Sequence, residues 1–341
     1  TLPLLIMTGS SEESEPERMV SLARQAITLD LVDKALSLPE LGPVVVATNS
    51  PSLAQRLDKR PIYVVRDAPV EPFHFGRRLA ELIARYDMER CFYIGGGAGP
   101  LLPASDMVEV AKAILADERL LITNNFYSSD IVAFGPTSVL EEHPPPDNDN
   151  ELAWLLGEHA GLPIRELPRS GATQFDVDTP TDLLTLAVHP GTDPHTRECL
   201  EGLALDTSTL EAALPLMLDR DATILVAGRM SSATWSYLER ETACSTRVLS
   251  EERGMRASGR LARGEVRSLL GYYLDAAGME RFFQELATIG QAVFLDNRVI
   301  FAHCGLWPSP ADRFYSDLGQ PAMIVEPFVR ALTEEAMAAP V

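Results

Sequence analysis

Short apolar runs alternate with amphipathic segments through the first half of the chain, and no other feature narrows its fold as far. "LPLLIM" reads as a buried strand, "MVSLARQAITLDLVDKAL" has the apolar spacing of a helix, and "GPVVVATN" is a strand ending at Asn49. The same alternation continues through "PIYVV", "FGRRLAELIARY", "RCFYIGG", "SDMVEVAKAILAD" and "RLLITNN". It predicts an α/β fold: a mostly parallel, Rossmann-like sheet with helices on both faces. In such sheets ligands bind beyond the carboxyl ends of the strands, so "MTGSSEES", "ATNS", "IGGGAGPLLP" and "NNFYSSD" are expected on one rim.

A length of 341 residues suits about two domains. The loop "EEHPPPDNDN" precedes one more helical pattern, "ELAWLLGEHA", and reads as an excursion within the first domain. "HPGTDPHTRE" mixes turn formers with charges and is the expected linker, giving domains 1–190 and 191–341. A new alternation opens at "ATILVAGRMSSATWSYLER", so the second, smaller domain is also expected to be α/β.

The chain carries 49 acidic against 29 basic residues, a formal charge of −20, which repels a polyphosphate backbone and argues against nucleic-acid binding. No apolar stretch reaches the length of a membrane span, and the first residues lack the pattern of a signal peptide, so a cytoplasmic protein without a membrane partner is expected. The four cysteines are scattered, with no C-x-x-C pair, and read as structural thiols. The partner expected is a small phosphorylated molecule or a nucleotide, with self-association into a homo-oligomer allowed.

Two motifs bear on chemistry. "YIGGGAGPLLP" places Gly95, Gly96 and Gly97 after a strand, but lacks the Lys and hydroxyl of a P-loop, and its prolines break the helix-opening context of a dinucleotide fingerprint. A tight strand-to-helix turn explains it equally well. "QFDVDTPTDLLTLA" starts a helix, with Asp178 or Thr179 as cap, Pro180 in the first turn and Asp182 near the positive end of the dipole. Within it Asp176 and Asp178, two apart on extended backbone, are expected to share a face where paired carboxylates can coordinate Mg²⁺.

Together these stretches resemble the nucleotidyltransferases of the molybdopterin-guanylyltransferase type, a family that includes the phospholactate guanylyltransferases. The strongest match is D-x-D-T-P-x-D-L, here Asp176, Asp178, Thr179, Pro180, Asp182 and Leu183, and the resemblance covers roughly residues 1–190. It implies a GT-A-like domain that binds a nucleoside triphosphate and joins the nucleoside monophosphate to a phosphorylated acceptor, with Asp176 and Asp178 as catalytic metal ligands. It also implies nucleotide contacts from Thr8, Gly9, Ser10, Arg18, Asn49, Gly95, Gly96 and Gly97. The chain departs from that pattern twice. The triphosphate loop of active members is Gly- and Lys-bearing, whereas here one glycine, Gly9, remains, Arg24 stands near the lysine position, and Glu12, Glu13, Glu15 and Glu17 enter the loop. Active members also place a metal-binding Asp in a G-D-x-P-L-L turn, where this chain has Gly96 or Gly97. Both departures imply weak or lost transfer, and leave a non-catalytic anion-binding or regulatory protein as the alternative.

In the second domain, "ATILVAG" followed by "RMSSATWSYLERE" reads as strand, glycine turn and helix, with Arg229, Ser231 and Ser232 at an anion-binding terminus or, as simply, with serine caps. "SEERGMRASGRLARGEVRSLL" gathers Arg253, Arg256, Arg260, Arg263 and Arg267 in a Gly-rich loop. Arg256, Arg260 and Arg267 are the expected anion contacts, since Glu251 and Glu252 stand beside Arg253 to occupy it. "QAVFLDNRVIFAH" reads as an apolar strand interrupted at Asp296 and Asn297, where a hairpin turn is at least as good as a catalytic Asp; His303 is an acid/base candidate, although a lone His by an apolar run is more often packed and hydrogen-bonded.

Overall fold

The computed structural model describes residues 1–11, 13–67 and 73–340; Glu12, one of the loop carboxylates noted above, lies outside them. The chain divides into two compact units, Thr1–Leu205 and Asp206–Val341.

Among the described residues the first unit has seven strands: β1 (Leu2–Thr8), β2 (Leu41–Thr48), β3 (Tyr63–Arg66), β4 (Cys91–Gly95), β5 (Leu120–Thr123), β6 (Ile131–Gly135) and β7 (Ile164–Glu166). They form one sheet in the order β3-β2-β1-β4-β6-β5-β7, flanked by helices. β1 to β4 are parallel neighbours, β7 is parallel to β5, and only β6 runs against its neighbours β4 and β5. β1 shows why the sheet orders this way: its run is buried at every position except Pro3, as suits a central parallel strand covered on both faces. Helix α1 (Glu15–Leu36) follows, started by the Ser14 side chain, which accepts from the Glu17 N–H, and by Pro16 in the first turn.

The excursion "EEHPPPDNDN" folds back on helix α3 (Phe75–Arg85), α2 being Pro51–Leu57. The Gly76 N–H donates to the Pro146 carbonyl at 3.0 Å, and a Cβ at Gly76 would stand 2.5 Å from the Pro146 ring, so glycine permits the approach. The helix expected in "ELAWLLGEHA" is instead a series of short 3₁₀, α and π turns over Asp149–Glu151, Leu152–Trp154 and Leu155–His159.

The stretch read as a linker contains the helix Pro194–Gly202, and this helix belongs to the first unit. Buried Asp30 of α1 accepts from His195 N at 2.9 Å, Thr196 N at 2.8 Å and Thr196 Oγ1 at 2.7 Å. Asp33 binds both Arg60 and His195, and Lys34 pairs with Asp193. The turn formers at 189–193 therefore make a corner rather than a boundary, because the helix after them has its polar anchors on α1. The division falls after Leu205.

The second unit holds a three-stranded parallel sheet of β8 (Thr223–Gly228), β9 (Ser245–Ser250) and β10 (Ala292–Leu295), in the order β10-β8-β9. "QAVFLDNRVIFAH" is neither one strand nor a hairpin: β10 ends at Leu295 and a helix runs over Arg298–His303. Val299, Ile300, Phe301 and Ala302 are all buried, a run that suits a helix enclosed on every side better than a strand with one wet face. His303 is packed, as expected, accepting from Ser268 N at 3.1 Å with its side chain 6% exposed. Among the described residues, no helix is long and apolar enough to cross a membrane.

Candidate functional site

Register aligns the strand ends of the first unit. Met7 pairs with Gly95 and Thr8 with Thr48, so β1, β2 and β4 stop at nearly one level. Strand order reverses between β1 and β4, the place where open α/β sheets bind ligands. Thr8 and Gly96 face each other there, so closely that a Cβ on Gly96 would lie 2.2 Å from Thr8 Oγ1.

The segment around Asp176 closes on the same rim. Ala98 and Asp176 form an isolated antiparallel bridge, and the Val177 N–H donates to the Gly97 carbonyl at 3.1 Å. A Cβ on Gly97 would stand 2.6 Å from Asp176 Oδ1, so the Asp176 carboxylate lies directly over that glycine. Arg24 of α1 fastens the segment from the other side, donating from Nε to the Val177 carbonyl at 2.7 Å and from its terminal nitrogen to Asp178 Oδ1 at 2.5 Å. Asp176 is half-buried and Asp178 exposed. Asp182 works as the helix-start reading requires, accepting from Asp178 N, Thr179 N and Thr179 Oγ1.

Two further acids arrive that spacing alone did not single out. Because β6 runs antiparallel beside β4, its start lies at the end of β4, and the Gly95 N–H donates to the Asp130 carbonyl at 2.9 Å. Asn124 Oδ1 fixes that start by accepting from Asp130 N and Ile131 N, both at 3.1 Å. The Pro-rich excursion brings Asp149, whose Oδ2 accepts from buried Tyr93 Oη at 3.1 Å. Fully buried Ser129 holds that turn, donating to the Asp149 carbonyl at 2.8 Å. Asp130 stands in "NNFYSSD", one of the loops expected on the rim, whereas nothing local marked Asp149.

The cluster is electrostatically strained. Burial, the Asp178 and Asp130 charges together raise the Asp176 carboxyl to about 8, against a pull downward from Arg24. Burial, with the Asp149 charge, raises Asp130 to about 7. Asp149 and Asp182 are raised as well, chiefly by burial, and the Tyr93 phenol is pushed far up by burial and the Asp149 charge. Oxygen donors of this kind suit a hard divalent cation, although among the described residues no group of three or more His, Cys, Asp or Glu side chains is arranged to hold one.

The loop after β1 is occupied with itself. Ser10 donates from N to Asn49 Oδ1 at 2.8 Å, tying the ends of β1 and β2 together. Ser11 and Ser14 both donate to the Glu17 carboxylate, at 3.2 and 2.6 Å, which turns one of the loop acids inward. Gly9 has open space where a Cβ would be, and Arg18 is exposed. Thr8, Gly9, Ser10, Asn49 and Gly95 to Gly97 thus lie along one rim, while Arg24 is engaged with the 177–178 segment.

In the second unit, Ser231 caps the helix Ser232–Glu241, its Oγ accepting from Thr234 N at 3.0 Å. The arginines turn to partners within the chain. Arg229 pairs with Asp296 at 3.0 Å, Arg260 with Glu252 at 2.6 Å and Glu265 at 3.7 Å, and Arg263 with Glu265 at 2.9 Å. Arg267 donates to the Gly264 and Val266 carbonyls, and Arg256 lies over the Trp307 ring at 4.5 Å. Arg253 is not occupied by its neighbours as expected: Glu252 pairs with Arg260, and Glu251 accepts from Ser268 Oγ and Leu270 N.

No protein-family model matches the chain, and no curated protein matches it. Solved structures are similar to part of it. A cytidylyltransferase from Leptospira borgpetersenii is 14% identical over 59% of this chain and 93% of its own, with a TM-score of 0.43. CMP:2-keto-3-deoxy-manno-octonic acid synthetase, complexed with CTP, is 15% identical over 55% of this chain and 97% of its own, with a TM-score of 0.39. Rv0371c from Mycobacterium tuberculosis, in complex with manganese, is 17% identical over 55% of this chain and 97% of its own, also with a TM-score of 0.39. None of these three carries the name of the molybdopterin or phospholactate guanylyltransferases that the sequence resembles.

Proposed function

We propose that the first unit is a nucleotidyltransferase-like domain that takes a nucleoside triphosphate at the rim between β1 and β4. In the transfer it would support, an oxygen of a phosphorylated small molecule attacks the α-phosphorus, the bond to the β-phosphate oxygen breaks, and pyrophosphate leaves. The observation that carries this reading is the bridge between Ala98 and Asp176, which sets the D-x-D-T-P segment on the glycine turn beside Thr8. Asp176 and Asp178 would hold a divalent cation, Mg²⁺ in the reading of the sequence. When bound, it would neutralise the triphosphate and the developing charge.

This chain's own residues set the limits on rate. Arg24 already donates to Val177 and pairs with Asp178, and Glu13 and Glu15 stand exposed near the loop after β1, so the triphosphate finds few cations there. The same commitment of Arg24 favours a second reading, in which the scaffold binds its ligand without turnover.

The test is pyrophosphate release by the full chain with each of the four nucleoside triphosphates and Mg²⁺ or Mn²⁺, with sugar phosphates and phosphorylated acids as acceptors. Slow, metal-dependent release that disappears in Asp176→Asn supports transfer. Nucleotide binding without release supports the second reading, and the absence of any nucleotide binding overturns both.

A further inference from the structure

The second unit closes one face of its parallel sheet and leaves the other poorly covered. Leu225 and Ala227 of β8 share a core with Leu270 and Leu274 and with Phe282 and Leu286, so the helices Leu269–Ala277 and Met279–Ile289 cover that face. The opposite face falls to the helix Ser232–Glu241, because right-handed crossovers to either side of β8 lie on opposite faces. Thr246 Oγ1 of β9 donates to Glu239 Oε1 of this helix at 3.2 Å, in keeping with that placement. Here Phe294, Val226 and Val248 stand at one level across the three strands, and all three are only half-buried.

The covering helix is itself uncovered. No residue of Ser232–Glu241 is buried, and Trp235 and Tyr237 are 47% and 48% exposed. No residue of β9 is buried either, and Leu249 is 42% exposed. Parallel sheets are stable with both faces closed, so one layer is missing beside this helix.

The edge of the sheet is open at the same place. Among the described residues β9 pairs with β8 alone. Ser245 N and Glu251 N donate inward, to the Ala222 and Gly228 carbonyls at 2.9 and 2.7 Å. The alternate residues Thr246, Val248 and Ser250 therefore turn their N–H and C=O groups outward, where a further strand can bind them.

A second copy of the chain meets both needs at once. Two β9 strands related by a twofold axis perpendicular to the sheet run antiparallel, and such an axis keeps each face on its own side. The two sheets become one, and the two helices Ser232–Glu241 come to lie on the same face across the axis. Charge favours this occupant over a basic partner. Between Ser231 and Ser250 the charged residues are Glu239, Arg240, Glu241 and Arg247, a neutral surface in a chain of formal charge −20. Strongly acidic copies associate most readily through a surface that carries no net charge, whereas a basic partner is drawn to acidic ones.

We propose that the chain forms a twofold dimer through the outer edge of β9, with Val248 at the axis. That register sets Thr246 against Ser250 and Arg247 against Leu249 of the second copy, whereas an axis at Arg247 would oppose two arginines. The proposal concerns the second unit and stands apart from the transferase reading of the first.

Sedimentation velocity of the full chain, up to about 100 µM, should show a species of twice the chain mass. Leu249→Arg opposes Arg247 of the other copy at two symmetric places and should weaken association about tenfold. Leu249→Glu meets the same arginine with the opposite charge and should keep or tighten the dimer. The position is exposed, so both variants should fold, and circular dichroism with the thermal midpoint checks that they do. Leu269→Glu changes an exposed apolar residue on the helix Leu269–Ala277 and should leave the dimer as it is. A chain that stays monomeric over the whole range overturns the proposal and leaves this face to a different protein. A dimer on which Leu249→Arg and Leu249→Glu act alike overturns it too, since the copies then meet elsewhere.

Discussion

Gly96 meets Thr8 so closely that a Cβ on it would lie 2.2 Å from Thr8 Oγ1 and 2.7 Å from Thr8 Cα. Gly97 is no roomier, with Asp176 Oδ1 at 2.6 Å and the Val177 carbonyl oxygen at 2.7 Å from its added Cβ. The resemblance puts the missing metal-binding acid at one of these two glycines, yet packing requires glycine at both. Gly95 is different: its Cβ would find Tyr93 Oη at 3.4 Å and Asp149 Oδ2 at 3.5 Å, ordinary contacts that point an added side chain toward the acid cluster.

Gly96→Asp and Gly97→Asp should therefore each lose about 1–3 kcal/mol by overpacking. Gly95→Asp should fold, and Mn²⁺ should raise its unfolding temperature more than it raises the parent's. Thermal unfolding of the three variants with and without MnCl₂ decides the point, and equal Mn²⁺ shifts in Gly95→Asp and the parent would speak against it.

The acid cluster predicts a pH dependence. Carboxyl groups whose folded pKa is raised, Asp176 to about 8 and Asp130 to about 7, bind more protons in the folded state than in the unfolded one. Their contribution is thus complete below pH 4 or so and is lost as pH rises through 7 and 8. Urea unfolding of the metal-free protein from pH 5 to 9 should show stability falling across that window. Asp176→Asn should flatten the fall and add about 1–2 kcal/mol at pH 8.5; an unchanged slope would mean that Asp176 is ionised throughout.

Arg24→Ala tests whether the arginine stands in for a cation. Its pair with Asp178 is largely exposed on the carboxylate side, so the ion pair itself should contribute less than about 1 kcal/mol. The variant should nonetheless bind Mn²⁺ more tightly than the parent, because Asp178 is released; electron paramagnetic resonance of free Mn²⁺ measures this. Weaker Mn²⁺ binding would mean that Arg24 positions the segment rather than competing for it.

A chain ending at Leu205 should unfold in one cooperative transition, whereas one ending at Pro190 loses the helix docked on Asp30 and should be markedly less stable. In the full chain, Asp30→Ala leaves the N–H groups of His195 and Thr196 without their acceptor and should cost about 2–4 kcal/mol. Denaturant midpoints of the three proteins measure both effects.

Local chemistry was enough to specify the strands and helices of the first sheet, since a run such as "LPLLIM" followed by a capped amphipathic stretch has few other ways to bury itself. It also specified the turn at Gly95 to Gly97 and the helix start at Thr179, and the register of parallel strands then forced both onto one rim. Tertiary structure alone decided which charges meet. Asp149 reaches Tyr93 from a loop 56 residues away, and Arg24 reaches Asp178 across 154. The loop arginines Arg256, Arg260 and Arg267, close in sequence, turn to Trp307, to Glu252 and Glu265, and to backbone carbonyls, because a Gly-rich loop sets no common direction for its side chains. Arg229 and Arg298, far apart in sequence, converge because β8 and β10 pair in register and end together. Spacing along a chain reports which side chains share a face of one element; only the packing of elements against one another determines which charges meet.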